Sequence, residues 1–312
     1  MQVRSIRIGD YETKNNIFLA PMASYTDYPF RKLCLELGAG LTFTELVSAK
    51  GICYKSRGNE KLLYSGDDYD KTAVQIFGSC EDVCRSACES NELAPFKIVD
   101  INMGCPVPKV YKNGDGSALL KDIHKAEKIV KECVKSGKII TVKIRTGLKK
   151  GDDIAEDFTK MAEDSGAKLV TIHGRVREDY YSGEPNFDAI YRAKKAVSIP
   201  VIANGGIYTE EDADNMMDRT GADGVMLARG AVANPLLFST LQGKEPNITM
   251  KQFIIKLLEY ERENKGEKRG AIEFRKFPAY IFRGIHNIKD VKIAILKSES
   301  ISEIINLISK NL

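Results

Sequence analysis

"PVIANGGIYTEEDADNMMDRTGADGVMLARG", residues 200–230, reads as one complete strand–turn–helix–strand unit. "PVIAN" and "ADGVMLA" are short continuous apolar runs, and "EEDADNMMDRTG" between them is helix-like and stops at Gly221. Such runs, joined by a helix, are the pattern of parallel strands buried on both faces. Working outward, the same alternation fills the chain up to about residue 240. The other runs are "IFLAPM", "LTFTEL", "TAVQIF", "IVDINM", "IITVKIR" and "KLVTIH". Helical segments lie between most of them, with stops at Gly38, Gly137 and Gly166. Eight units in that length fit a closed (β/α)8 TIM barrel better than a doubly wound sheet.

Beyond residue 247 the pattern becomes helical only. "TMKQFIIKLLEYEREN", "AIEFRKFPAYIFRGI" and "SISEIINLISKNL" read as a small bundle, the last opened by a capping box of Ser300 with Glu303. The expected organisation is a barrel over residues 1–243 and an all-helical domain over 244–312.

Composition bounds the function. The 312 residues are 43% hydrophobic and 29% charged, as in a soluble globular protein. No apolar run approaches the roughly 18 residues of a membrane span, and the first residues lack a signal-peptide core. Seven cysteines without a close CxxC pair fit reduced thiols and a cytoplasmic location. From Lys244 onward there are 14 Lys+Arg against 9 Asp+Glu, a net +5, while the rest of the chain has 33 against 34. A basic carboxyl-terminal segment points to a polyanionic partner.

Barrel chemistry sits at the carboxyl ends of the strands. Read in order, those ends offer Pro21-Met22, Glu45, Gln75, Asn102 through Cys105, Lys143 with Arg145, His173 with Arg175, Asn204-Gly205-Gly206 and Ala228-Arg229-Gly230. Nearly every strand ends in a group that donates, accepts or carries charge. Lys143 and Arg145 alternate with Val142 and Ile144, so both cations face one side. The turns "ANGGI" and "ARGA" end strands seven and eight, where such barrels bind phosphate through backbone N–H groups. Cys80, Cys84 and Cys88 are spaced by four, which packs small thiols along one helical face without any metal. Cys105 differs, because it lies at a strand end in a polar loop.

These residues together resemble the tRNA-dihydrouridine synthases, most closely their bacterial B-type branch. The match covers almost the whole chain. It includes "LAPMASYTDYPFRKLCLELGAGLTFTELVSAKG", "DINMGCPVPKVYKNGDGSALL", "TVKIRTG", "TIHGRVREDYYSGEPNFDAI", "IPVIANGGI" and "TGADGVMLARGAVANPLLF". Other flavin barrels share the phosphate turns but lack the Cys105 loop followed by "KNGDGSALL".

The resemblance implies an FMN enzyme that uses NADPH (or NADH) to reduce selected uridines in tRNA, without a metal or an obligate protein partner, as a monomer. It implies that Pro21, Met22 and Ala23 line the isoalloxazine and that Gln75 bonds its polar edge. Lys143 and His173 fall beside the flavin, and Asn204, Gly205, Gly206, Ala228 and Arg229 hold its phosphate. Asn102 and Arg175, with Arg145, fall to the target uracil, and Cys105 to the general acid. Hydride from flavin N5 would add at uracil C6, with the proton from Cys105 reaching C5. Three features depart from the family's pattern: Gly206 where Asp is usual, Ala228 where Gly is usual, and "RKFPAY" where an Arg-Lys-His run with a nearby tryptophan is usual. Two other readings use the same residues, a flavin barrel for a free pyrimidine and an RNA-binding module without catalysis.

Overall fold

A computed structural model describes residues 1–312. Eight parallel strands form the barrel: β1 (Ile17–Leu19), β2 (Thr42–Ser48), β3 (Thr72–Phe77), β4 (Ile98–Met103), β5 (Ile139–Gly147), β6 (Val170–Val176), β7 (Val201–Asn204) and β8 (Gly224–Leu227). Each pairs with its sequence neighbour from β2 to β8, and β8 pairs with β1. The ring closes where Leu19 N donates to Leu41 O at 2.9 Å and Gly40 N to Ile17 O at 2.8 Å. An amino-terminal hairpin, Arg7–Ile8 paired with Tyr11–Glu12, contributes Ile6 and Ile8 to the barrel's inner core.

Strand parity decides what faces inward. That inner cluster holds Phe18, Ala73, Ile98, Leu169, Ile202 and Met226, while their chain neighbours Ile17, Val74, Val99, Val170, Val201 and Val225 join the outer core under the helices. Side chains two residues apart share a face. The positions above that apolar floor are therefore Gln75, Asp100, Asn102, Thr171, His173 and Asn204. Lys143 and Arg145 follow the same rule on β5, since Val142 and Ile144 belong to the outer core. The barrel has an apolar floor and a polar upper storey.

The carboxyl-terminal part differs from its sequence pattern. "AIEFRKFPAYIFRGI" is not one helix: it splits into Glu267–Phe274 and Pro278–Ile281, because Pro278 cannot continue a helix but fits the first turn of a new one. A further helix, Lys289–Lys297, buries only Val291 and Ile295, too short a stripe to stand out in the sequence. The expected box at Ser300 is half formed. Ser300 accepts from Glu303 N, but the Ser298 hydroxyl takes both the Ser300 N–H and the Glu303 carboxylate. A full box instead starts Met250–Lys265, between Thr249 and Gln252.

Barrel and helices share one apolar core rather than two. Phe30 of the helix Tyr28–Glu36 lies 5.4 Å from Phe277 and 6.3 Å from Phe253, ring centre to ring centre. Beside them is a buried ion cluster. Asp27 Oδ2 accepts from Lys265 at 2.7 Å and Lys276 at 2.8 Å, and Lys265 also meets Glu261 at 2.7 Å and Glu273 at 2.6 Å. Asp27, Glu261 and Glu273 bring their oxygens within 4.8 Å of one another, and the Lys265 ammonium is the cation among them.

Burial alone would lower Lys265, but Asp27 and Glu261 outweigh it and hold the ammonium well above its usual range. Glu261, fully buried and beside Asp27, is pushed up to about 8. A carboxyl raised above its unfolded value of about 4.3 stabilises the fold at low pH and loses that contribution as pH rises through the folded value. Glu261→Gln removes this titration. Its melting temperature, compared with wild type, should rise in its favour across roughly pH 4.3–8. A pH-independent difference between the two proteins would disprove the assignment.

Candidate active site

A cavity of about 380 Å³ opens at the carboxyl ends of the strands. All of Pro21, Met22, Ala23, Gln75, Asn102, Cys105, Lys143, Arg145, His173, Arg175, Asn204, Gly205, Gly206, Ala228 and Arg229 line it. A larger cleft of about 980 Å³ lies between barrel and helices, but of the strand-end groups only Glu45 reaches it. The chemistry is gathered in the smaller space.

One wall is a chain of buried amides. Asn102 Nδ2 donates to Gln75 Oε1 at 2.9 Å, and Gln75 Nε2 donates to Asp100 Oδ2 at 2.6 Å. Asp100 also accepts from the Thr141 hydroxyl at 2.6 Å, and burial pushes its carboxyl up to about 6. Asp100 is not among the residues expected from the sequence, although a charge inside "IVDINM" is a signal. Asn102 also bends the loop after β4, because its Oδ1 accepts from the N–H groups of Gly104 and Cys105 at 3.2 and 2.9 Å.

The Cys105 loop is held from both sides. Arg145, 2% exposed, donates from Nε to Gly104 O at 2.9 Å and from Nη1 to Val176 O at 3.0 Å. Ser117 donates to Cys105 O at 2.7 Å, a support that no local pattern in the sequence marks. Burial pushes the Cys105 thiol up, against the Val107 N–H and the cations Arg145 and Lys143, which pull it down. At neutral pH the sulfur holds its proton.

Lys143 makes one hydrogen bond, to Asn204 Oδ1 at 2.9 Å, and is lowered to about 7, by burial first and by Arg145 next. His173 is lowered well below its ordinary value by burial and by four surrounding cations, so it is neutral. Its Nε2 faces Arg175 Nη1 at 3.3 Å. An arginine only donates, so Nε2 is the acceptor and the ring proton is on Nδ1. Arg175 is otherwise tied to the carbonyls of Ser182 and Gly183.

At the opposite end, Gly205 and Gly206 have φ of +117° and +73°. A Cβ on Gly205 would lie 2.7 Å from His173 Cδ2 and 3.1 Å from Arg175 Nη1. Gly205 therefore requires glycine, for conformation and for space, and at Gly206 the positive φ favours it. The N–H groups of Gly205, Gly206 and Ala228 have no acceptor within the protein. Free backbone donors beside Arg229 and Arg175 fit an anionic phosphate. The Gly206 and Ala228 departures leave these donors intact. The residues present suit a phosphorylated flavin, with backbone donors and cations at one end and amides with a near-neutral lysine at the other.

The helical part reaches this cavity through Tyr280, which lines it. "RKFPAY" is the joint itself: Lys276 binds Asp27, Phe277 is buried against Phe30, and Tyr280 packs edge-on to Tyr25 at 5.7 Å. Glu45, read only as a strand end, holds the Pro21–Thr26 turn by accepting from Ser24 N. No helix is long and apolar enough to cross a membrane.

Residues 18–303 match the family Dihydrouridine synthase (Dus). The chain is 38% identical over 290 residues to "tRNA-dihydrouridine synthase B" of Pasteurella multocida, covering 90% of this chain and 87% of that one. It is 42% identical over 238 residues to "Probable tRNA-dihydrouridine synthase" of Rickettsia prowazekii, covering 76% and 73%. Among solved structures, TcOYE with pHBA superposes with a TM-score of 0.55 at 13% identity, covering 77% of this chain and 92% of that one. A variant of NCR from Zymomonas mobilis gives 0.55 at 16% identity, covering 77% and 90%. These two show the same barrel fold. The match to the family along most of the chain, with its residues gathered in one cavity, places this protein in the dihydrouridine synthase family of flavin-dependent oxidoreductases.

Proposed function

We propose that this chain reduces the C5=C6 bond of specific uridines in tRNA to 5,6-dihydrouridine, with FMN bound in the cavity and NADPH or NADH as the reductant. The observation that supports it most is the sharing of one cavity by the protonated Cys105 thiol, the Lys143–Arg145 pair and the free donors of the glycine turns. When bound, FMN supplies the hydride for C6 of the uracil.

The chain's own groups do the rest. Negative charge on the uracil grows toward C5 and O4, and Cys105 donates the proton to C5. Lys143, near neutral in its buried setting, takes up a proton when an anion is beside it and so stabilises that anion. Arg145, Arg175 and Asn102 orient the uracil, with Asn102 also holding the loop that presents the thiol. Gln75 and Pro21 to Ala23 bound the cofactor's ring end, and His173 with Asn204 supports Lys143 and the phosphate turn. The tRNA body falls to the basic segment beyond Lys244. The enzyme acts as a monomer in the cytoplasm.

Mass spectrometry of tRNA from a strain lacking this gene tests the proposal. One or more uridines should fail to gain two hydrogens, and purified protein with NADPH should restore them. Turnover of free uracil as fast as tRNA would support the free-pyrimidine reading instead. Arg229→Ala removes a charge-assisted phosphate bond worth about 1.5–3 kcal/mol. FMN affinity should weaken by roughly 10- to 150-fold, read by equilibrium dialysis. Unchanged affinity would put the phosphate elsewhere.

A further inference from the structure

We propose that the cleft between barrel and helices holds a nucleotide next to the target uridine and selects a base that bears an exocyclic amino group. The inference rests on the function proposed above. At about 980 Å³ the cleft has room for a nucleotide, and no step of the reaction uses it. It borders the catalytic cavity directly. Ala23 and Tyr25 line the cavity while Ser24, between them at φ +68°, lines the cleft, and Leu46 and Glu45 divide in the same way. Only the Pro21–Thr26 turn stands between the two spaces, so neighbouring nucleotides of one strand can enter them together.

The cleft offers both contacts that a base needs. Its acceptor is Glu45 on β2. One carboxylate oxygen accepts from Ser24 N, and the other has no donor within the protein. Burial is the largest influence on this carboxyl and raises it, so a donor that replaces the lost water is favoured there. The aromatic surface is Tyr64, 45% exposed, which Tyr28 meets edge-on at 4.9 Å. Arg31, 1% exposed, ties the two walls together: Nη1 donates to Thr26 O at 2.5 Å and Nη2 to Tyr64 O at 2.6 Å. On the helical wall, Lys265 and Lys276 are already engaged by Asp27. An entering group therefore meets a free acceptor beside a ring, rather than a free buried cation. An ionised carboxylate only accepts, which favours the amino group of adenine, cytosine or guanine over a phosphate or a uracil carbonyl.

The test gives the holoenzyme tRNA transcripts that differ only in the nucleotide on one side or the other of the reduced uridine. Cytosine and uracil form the cleanest pair, being alike in size but carrying an amino group and a carbonyl, respectively, at C4. At one of the two flanks, cytosine should exceed uracil in kcat/KM by about 10- to 100-fold, the size of one hydrogen bond to a charged group. Glu45→Gln should bring the two bases within about twofold or reverse their order. Its carbonyl still accepts from Ser24 N, and its amide N–H groups then meet the base as donors. Tyr64→Ala should lower kcat/KM for both bases by about 10- to 100-fold and keep their ratio, because stacking does not read the base edge. Tyr64→Phe should return to within about twofold of wild type, and neither tyrosine variant should slow flavin reduction by NADPH. Wild type that is indifferent to the base at both flanks overturns the proposal, and that comparison needs no variant to fold. A Glu45→Gln enzyme with the wild-type preference, or Tyr64→Ala with unchanged kcat/KM, overturns it as well. Wild-type protein that reduces no tRNA would instead sink the proposed function, and this inference with it.

Discussion

Cys105→Ala is expected to reduce the rate of tRNA reduction by about 10²–10⁴-fold, the usual contribution of a positioned general acid. The NADPH half of the reaction needs no proton at uracil C5, so its rate should stay near wild type, as should flavin content and tRNA affinity. Stopped-flow absorbance of the flavin separates the two halves. Serine should rescue poorly, because a hydroxyl is a far weaker acid than a thiol. Burial raises the Cys105 thiol above its ordinary value of about 8.5, so in wild type the tRNA step should fall on the alkaline side of that value. The alanine variant should lack that limb. Cys84, fully buried, serves as the control: Cys84→Ala should alter stability and leave the tRNA step nearly unchanged. A Cys105→Ala enzyme that reduced tRNA at the native rate would require another donor on the same loop.

Asp27→Ala should cost about 3 kcal/mol of stability, because it leaves the largely buried ammonium groups of Lys265 and Lys276 without the carboxylate they share, Lys265 keeping only Glu261 and Glu273. The Asp27 side chain also accepts from Phe30 N and caps the helix Tyr28–Glu36, worth about 1 kcal/mol more. Burial alone would raise the Asp27 carboxyl, but Lys276 and Lys265 outweigh it and hold the group below its ordinary value. A depressed carboxyl stabilises above its unfolded value of about 3.9 and loses that contribution as pH falls through the folded value. Wild type should therefore lose stability on acidification in a step that Asp27→Ala lacks. Asn in place of Asp keeps the cap but not the charge, and should fall between the two. Denaturant midpoints measure all three proteins, and a loss under about 1 kcal/mol for alanine would mean that the joint does not depend on this cluster.

The eight strands were legible because a barrel strand buried on both faces needs an uninterrupted apolar run, and the runs here end at glycine turns. "PVIAN" and "ADGVMLA" mark β7 and β8 to within a few residues. The same strand ends name the residues that line the cavity, since parallel strands must deliver their last inward side chains to one place. The helical part was less legible. Its helices are amphipathic against a surface supplied by the barrel, so the break at Pro278 and the short stripe of Lys289–Lys297 depend on packing far away in the chain.

What the sequence by itself determined was the repeat, the closure number and the polar upper storey, all of which follow from local periodicity. Only the tertiary structure decided which groups support one another. Asp100 beneath Gln75, Ser117 on the Cys105 carbonyl, Glu45 on the Ser24 turn and Tyr181 between Arg145 and Arg229 each join residues from different units. The charge states follow the same division. Lys143 near neutrality, His173 neutral and Glu261 beside Asp27 are consequences of burial and of charges brought close by folding, and neither burial nor distance is written in the order of residues.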